Sequence, residues 1–196
     1  MGTIKTTNIE PIADNGTVTL GSSGDTFTIP SGVTMTVPSG GLSGQNYPAF
    51  EAYVSANQEM SDTSTTKIQF DTERFDTNSY FDNATNYRYT PLVAGKYNVY
   101  CSARFDARTN SNLAVANMMI FKNGSNYLEN QQYFTTSYVR QTFCNLSTVI
   151  DMNGSSDYLE VFAYFDILST GSGDPRITGS SSGTGGSVFG AYRIGS

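Results

Sequence analysis

Residues 96–106, KYNVYCSARFD, constrain the fold of this chain more than any other stretch. Side chains of an extended strand alternate between its two faces. Tyr97, Val99 and Cys101 therefore share one face, and Asn98, Tyr100 and Ser102 share the other. Aromatic groups on both faces require a cover on both faces, because a bare apolar wall is poorly tolerated in water. One cover is an opposing sheet of the same chain, and the other is a neighbouring subunit. The strand is entered through Thr90-Pro91-Leu92-Val93-Ala94-Gly95. Pro91 presets φ before the turn, and Gly95 supplies a permissive backbone where the chain re-enters the sheet.

Composition points the same way. The chain has 196 residues, of which only 14% are charged, and it lacks long runs of helix formers. Gly, Ser, Thr, Asn, Tyr and Phe dominate, and these form strands and turns. A net charge of −6 with no Lys/Arg stripe argues against nucleic acid as a partner. No stretch is long and apolar enough to span a bilayer, so no membrane partner is expected. The first residues, MGTIKTTNIEPIADNG, are polar and carry no apolar signal core.

Two regions follow from where the aromatics fall. Residues 1–46 contain Phe27 as their one aromatic, whereas residues 47–196 carry all 13 tyrosines and 11 of the 12 phenylalanines. In the first region Gly16, Gly24, Gly32 and Gly40 recur every 8 residues. Between them stand Thr17-Val18-Thr19-Leu20, Thr26-Phe27-Thr28-Ile29 and Thr34-Met35-Thr36-Val37, each with the two-residue period of a strand. Strands this short bury little in one chain. The regular period favours an interchain β-stalk over a flexible linker.

The second region reads as nine strands, near 48–55, 66–71, 86–91, 96–106, 113–123, 126–135, 138–152, 157–167 and 188–195. Turn signals at Asn123-Gly124-Ser125 and Asn153 to Asp157 separate them. Strands at this spacing predict an all-β sandwich, a jelly roll. Phe70, Tyr97, Val99, Phe121, Val161, Phe189 and Tyr192 are expected to be largely buried, in the protomer or against a second copy. The segment 169–187 is longer than an ordinary connection and reads as a mobile loop or a contact loop.

Several segments of this region fall in a recognisable order. These are Pro48-Ala49-Phe50, Lys67 to Phe70, Asn78 to Phe81, Tyr87 to Pro91 with Ala94-Gly95 and Tyr97, Met119 to Gly124, Ser147 to Met152 with Tyr158 to Val161, and Phe189 to Ile194. Together they resemble the globular C1q domain of the tumour-necrosis-factor-like jelly rolls. One extra residue between Pro91 and Gly95, and Ala191 in place of a glycine, depart from that pattern. The resemblance implies a homotrimer packed round a three-fold axis. Its core and interface would be drawn from Phe50, Tyr97, Tyr100, Phe105, Phe162, Tyr164, Phe189 and Tyr192.

No catalytic constellation emerges. Histidine is absent, which excludes Ser-His and Cys-His nucleophile pairs. Glu160 and Asp166 read as lying on opposite registers of a strand, which does not make a glycosidase pair. Asp71, Glu73, Asp76 and Asp82 cluster in 71–82, read as a solvated acidic loop. No metal is expected from the residues, although some members of the resembled family bind calcium, for which Asp71, Asp76 and Asp82 are the candidates. No cofactor is expected. Cys101 and Cys144 read as buried small hydrophobes. Asn15, Asn83, Asn123, Asn145 and Asn153 begin glycosylation sequons and read as turn residues.

Ile9-Glu10-Pro11 followed by residues 16–32 resembles N-terminal segments of bacteriophage fibre and decoration proteins. That implies a docking peptide using Ile4, Ile9, Pro11 and Ile12 to hold other virion proteins. The expectation is a virion structural protein: a trimeric short fibre, spike or capsid decoration on the particle surface, free to bind a host glycan or protein. The alternatives are a secreted or surface C1q-like binding module and a tail-spike glycan-degrading enzyme.

Overall fold

A computed structural model describes residues 19, 22–26, 28–34, 47–108, 111–168 and 175–195. The chain divides into two units, Met1–Ser43 and Gly44–Ser196. In the first unit, the described residues make two glycine turns. The Asp25 N–H donates to Ser22 O and the Val33 N–H to Pro30 O, with Gly24 and Gly32 at positive φ. Two of the four glycines of the eight-residue period, Gly24 and Gly32, thus sit in turns; Gly16 and Gly40 lie outside the described residues. None of the described residues of this unit lies in a strand. Ile4, Ile9, Pro11 and Ile12, and most apolar positions of the repeat, lie outside the described residues.

The described residues of the second unit form thirteen strands and no helix. The strands are β1 (Ala49–Tyr53), β2 (Gln58–Glu59), β3 (Thr65–Lys67), β4 (Thr72–Asp76), β5 (Phe81–Asp82), β6 (Arg88–Tyr89), β7 (Gly95–Asp106), β8 (Leu113–Lys122), β9 (Ser125–Tyr133), β10 (Gln141–Met152), β11 (Leu159–Ile167), β12 (Arg176–Ile177) and β13 (Val188–Gly195). They assort into two antiparallel sheets. The larger runs β2-β12-β7-β13-β1-β4, with β10 along the other edge of β7. The smaller runs β5-β6-β11-β8-β9, with β3 also on β11. The edge strands β9 and β10 are laced by side chains: Asn130 Nδ2 donates to Asn145 O, and Gln132 Nε2 to Phe143 O. This closes one side of the sandwich.

The core lies between the sheets. Tyr97, Val99, Cys101, Ala103 and Phe105 of β7 all point into it. Phe50 stacks on Phe81 and Tyr89 at centroid distances of 4.7 and 4.2 Å and meets Phe189 edge-on at 5.0 Å. Phe105 and Phe165 fill the far end, 4.6 Å apart. Of the expected core, Phe70, Tyr97, Val99, Val161 and Phe189 are fully buried. Phe121 is half-buried and Tyr192 is 38% exposed, because both side chains leave the sandwich on its outer faces. Cys101 and Cys144 are free and buried, as read, and burial raises both thiol pKa values, that of Cys144 to about 12.

The turn before β7 works as read. The Tyr97 hydroxyl donates to Val93 O at 2.7 Å, and Gly95 sits at φ +144°. A Cβ on Gly95 would fall 2.3 Å from Gly195 O, so only glycine passes under the closing strand.

Three sequence readings need correction. Residues 71–82 are not simply an acidic loop, because Thr72–Asp76 pairs with β1. Charge hid this strand because it is an edge strand, where charged side chains guard unpaired backbone. The segment 169–187 is anchored rather than free in its described part. Arg176 and Ile177 pair with Asp106 and Phe105, and Ser187 is fully buried. Asn145 is no turn residue; it faces outward from the middle of β10, opposite Ser102.

Candidate functional site

The outward residues of β7 are Asn98, Tyr100, Ser102 and Arg104, and the register sets their neighbours. Val149, Asn98 and Tyr192 form one row across β10, β7 and β13. Ser147, Tyr100, Gly190, Glu51 and Phe75 form the next, reaching β1 and β4. Phe143 stands beside Arg104 further along. Phe75, Phe143, Val149 and Ile194 are each 46–47% exposed. The larger sheet thus carries an outward wall with five exposed large apolar side chains, counting Tyr192.

A hydrogen-bonded clamp keeps the wall flat. Tyr100 lies across Gly190, where a Cβ would come within 2.4 Å of the ring. Its hydroxyl donates to Glu51 Oε2 at 2.6 Å. Burial, reinforced by that bond and the nearby Glu51 charge, pushes the Tyr100 pKa well up, so the hydroxyl stays a donor. Arg74 pairs with the other Glu51 oxygen, donates to Gly183 O and lies 5.6 Å over the Tyr53 ring. The glycine that the closing strand needs is Gly190; Ala191 faces the core.

The eight residues read as core and interface separate into three places. Phe50, Tyr97, Phe105 and Phe189 are fully buried in the protomer, so they are core and not interface. Tyr100 and Tyr192 stand on the wall. Phe162 and Tyr164 lie on the outer face of the smaller sheet, where Phe162 packs on Phe121 at 4.4 Å. Phe75, Phe143, Val149 and Ile194 were missed. The signal for two of them was parity: Phe143 and Val149 alternate with the inward Cys144 and Ile150.

The acidic candidates are each held by other partners, Asp76 and Asp82 in their own turns and Asp71 by a distant serine. Asp71 accepts from the Ser55 N–H and hydroxyl at 2.8 and 2.7 Å. Asp76 accepts from the Asn78 and Phe81 N–H groups. Asp82 accepts from the N–H groups of Ala84, Thr85 and Asn86, and these bonds, Thr85 foremost, hold its pKa at about 2. Among the described residues no group of three His, Cys, Asp or Glu side chains gathers to hold a metal. Glu160 and Asp166 share one face of β11, contrary to the sequence reading, six residues apart and so about 20 Å along the strand. Glycosidase carboxyl pairs stand roughly 5–9.5 Å apart. Glu160 instead pairs with Lys67 at 2.6 Å.

A second cluster is structural. Asp106 is fully buried and accepts from Arg176 Nε and Nη2 at 2.9 and 2.8 Å. Burial by itself would raise its pKa, but bonds from Arg176, Gln141 and the Arg108 N–H outweigh it and hold the carboxyl low.

No protein-family model matches the chain, and no curated protein matches it. Solved structures do. The globular domain of zebrafish complement 1qA superposes with a TM-score of 0.52 at 15% identity, covering 75% of this chain and 97% of that one. Eiger TNF from S. frugiperda gives 0.53 at 12%, covering 74% and 90%. Murine APRIL gives 0.52 at 11%, covering 74% and 97%. Likeness at such identities speaks for the fold: the chain carries a jelly roll of the C1q and tumour-necrosis-factor type.

Proposed function

We propose that this chain is a virion structural protein of a bacteriophage, a trimeric short fibre, spike or capsid decoration. Residues 1–46 serve as docking peptide and stalk, and residues 47–196 as an exposed head. The observation that carries the self-association is the wall of Phe75, Phe143, Val149, Tyr192 and Ile194. Monomers seldom leave so many large apolar side chains on one sheet face in water, here interleaved with Asn98, Asn145 and Ser147. A flat wall braced by Tyr100, Glu51 and Arg74 suits packing against copies of itself. Three heads held together then bind avidly even when each binds weakly. The assignment to a particle is supported by the resemblance of the N-terminal segment and by the regular eight-residue glycine spacing of its sequence. The likeness to a complement globular domain supports a second reading, a C1q-like surface binding module.

Light scattering tests the assembly: a mass about three times 21.2 kDa is expected, and a clean monomer at micromolar concentration overturns it. Labelled protein imaged on intact particles tests the location. Deleting residues 1–15 should leave a folded trimer that no longer attaches. A trimer that never attaches, intact or truncated, favours the surface binding module.

A further inference from the structure

The outer face of the smaller sheet is built differently. A groove of about 320 Å³ opens there. That volume lies at the low end of the range typical of small-molecule sites, about 300–1,000 Å³. The register defines its walls. Tyr164 of β11, Asn117 of β8 and Gln131 of β9 stand in one row. Asp166, Val115 and Tyr133 stand in the next.

Asn117 is only 7% exposed on the floor of this groove. Its amide nitrogen donates to Glu129 Oε2 at 3.3 Å, and its carbonyl oxygen has no hydrogen-bond partner. A buried acceptor without a donor is unfavourable and marks a place where a donor is wanted. Asp166 is half-buried, and its carboxylate makes no hydrogen bond or ion pair among the described residues. Gln131 adds an exposed amide. The groove thus offers more acceptors than donors, beside two tyrosine rings. Among the described residues lining it none is cationic, and Asp166 would repel an anion.

We propose that this groove is a subsite for a neutral saccharide. Sugar hydroxyls donate to Asn117 Oδ1 and Asp166, Gln131 takes either role, and the C–H face of the ring packs on Tyr164 and Tyr133. Hydroxyls at several edges of one pyranose match acceptors spread over two adjacent rows, whose strands lie about 4.8 Å apart. A lone ammonium gathers its donors on one atom and so cannot reach acceptors in both rows at once, and two rings do not enclose it. The groove lies within one protomer and on the sheet opposite the apolar wall, so it does not depend on the proposed assembly. It does deepen the reading of the head as a binding module.

Saturation-transfer NMR with the full chain tests this. The probes are methyl glycosides of neutral hexoses, a deoxyhexose and N-acetylhexosamines, with tetramethylammonium in parallel. At least one glycoside should bind through its C–H face. Asn117→Leu, and separately Tyr133→Ala, should weaken it roughly tenfold or more. Tyr133 is 64% exposed, so its variant keeps the fold and carries the test even where Asn117→Leu does not fold. The proposal is overturned if no glycoside binds, if tetramethylammonium binds in their place, or if binding survives Tyr133→Ala and Asp166→Asn undiminished. Light scattering on the same samples separates such a failure from a failure of the trimer.

Discussion

The two outer faces of the sandwich share a construction and differ in what they expose. Both present every second side chain of long antiparallel strands. On the larger sheet those side chains are Phe143, Val149, Tyr192 and Phe75, with Gly190 letting Tyr100 lie flat. On the smaller sheet they are Asn117, Asp166, Gln131, Tyr133 and Tyr164, which leave a groove. A flat wall of large apolar side chains set among Asn98, Asn145 and Ser147 fits a large rigid surface, such as another copy. A groove with unmet acceptors fits a small polar molecule. The difference lies in side-chain size and polarity, on two sheets that are both antiparallel.

Both outer faces depend on the core beneath them. Phe189 meets Phe50, Phe70 and Phe81 and is fully buried under both faces. Phe189→Ala should destabilise the head by ~3–5 kcal/mol. Urea unfolding should show the loss, and assembly and sugar binding should fall together. An unchanged midpoint would mean that the closing strand is misplaced.

Asp106→Ala should cost about 3 kcal/mol, the lower end for a broken buried pair, because Arg176 keeps part of its solvent. Thermal melts check it. Asp106→Asn, which keeps hydrogen-bonding oxygen, should lose less.

Val149→Lys sharpens the contrast between the faces. The residue is 46% exposed, so the protomer's own stability should move by less than about 0.5 kcal/mol. Its mass by light scattering should drop to that of a monomer, while the groove keeps its ligand. If mass stays trimeric, the wall is not the interface.

Acid should weaken the fold in a defined window. Asp82, Asp106 and Asp157 all bind protons less tightly folded than unfolded. Their contribution is complete above the ordinary Asp pKa of about 3.9 and is lost as pH falls through the folded values. For Asp82 that extends to about 2. Glu73, raised by burial and by Asp76, pulls the other way. Urea midpoints should therefore decline on acidification below about pH 4. Asp82→Asn should flatten the lowest part of that decline, and a midpoint that rises on acidification would contradict the assigned directions.

Much of the sandwich was legible because strand periodicity is local. Tyr97, Val99 and Cys101 alternate with Asn98, Tyr100 and Ser102 in the chain itself, and the structure keeps that division. The Pro91 to Gly95 turn and the Asn123-Gly124 turn were equally plain, since positive φ selects the residue. Strand β4 was hidden because an edge strand needs charge more than apolar alternation. Glu160 and Asp166 were set on opposite sides, although an even separation puts both on one.

The amino-acid sequence by itself determined that the second unit is all-β, where its long strands run and which side chains share a face, since each depends on neighbours along the chain. It did not determine which strands lie side by side. The β8–β9 hairpin closes locally across the Asn123-Gly124 turn, but pairing β7 with β10 and β13, and β8 with β11, joins residues far apart in sequence. Only that pairing assembles Val149, Asn98 and Tyr192 into one row, and Tyr164, Asn117 and Gln131 into another. The wall and the groove are properties of rows across a sheet, and rows exist only once the tertiary structure has chosen the register.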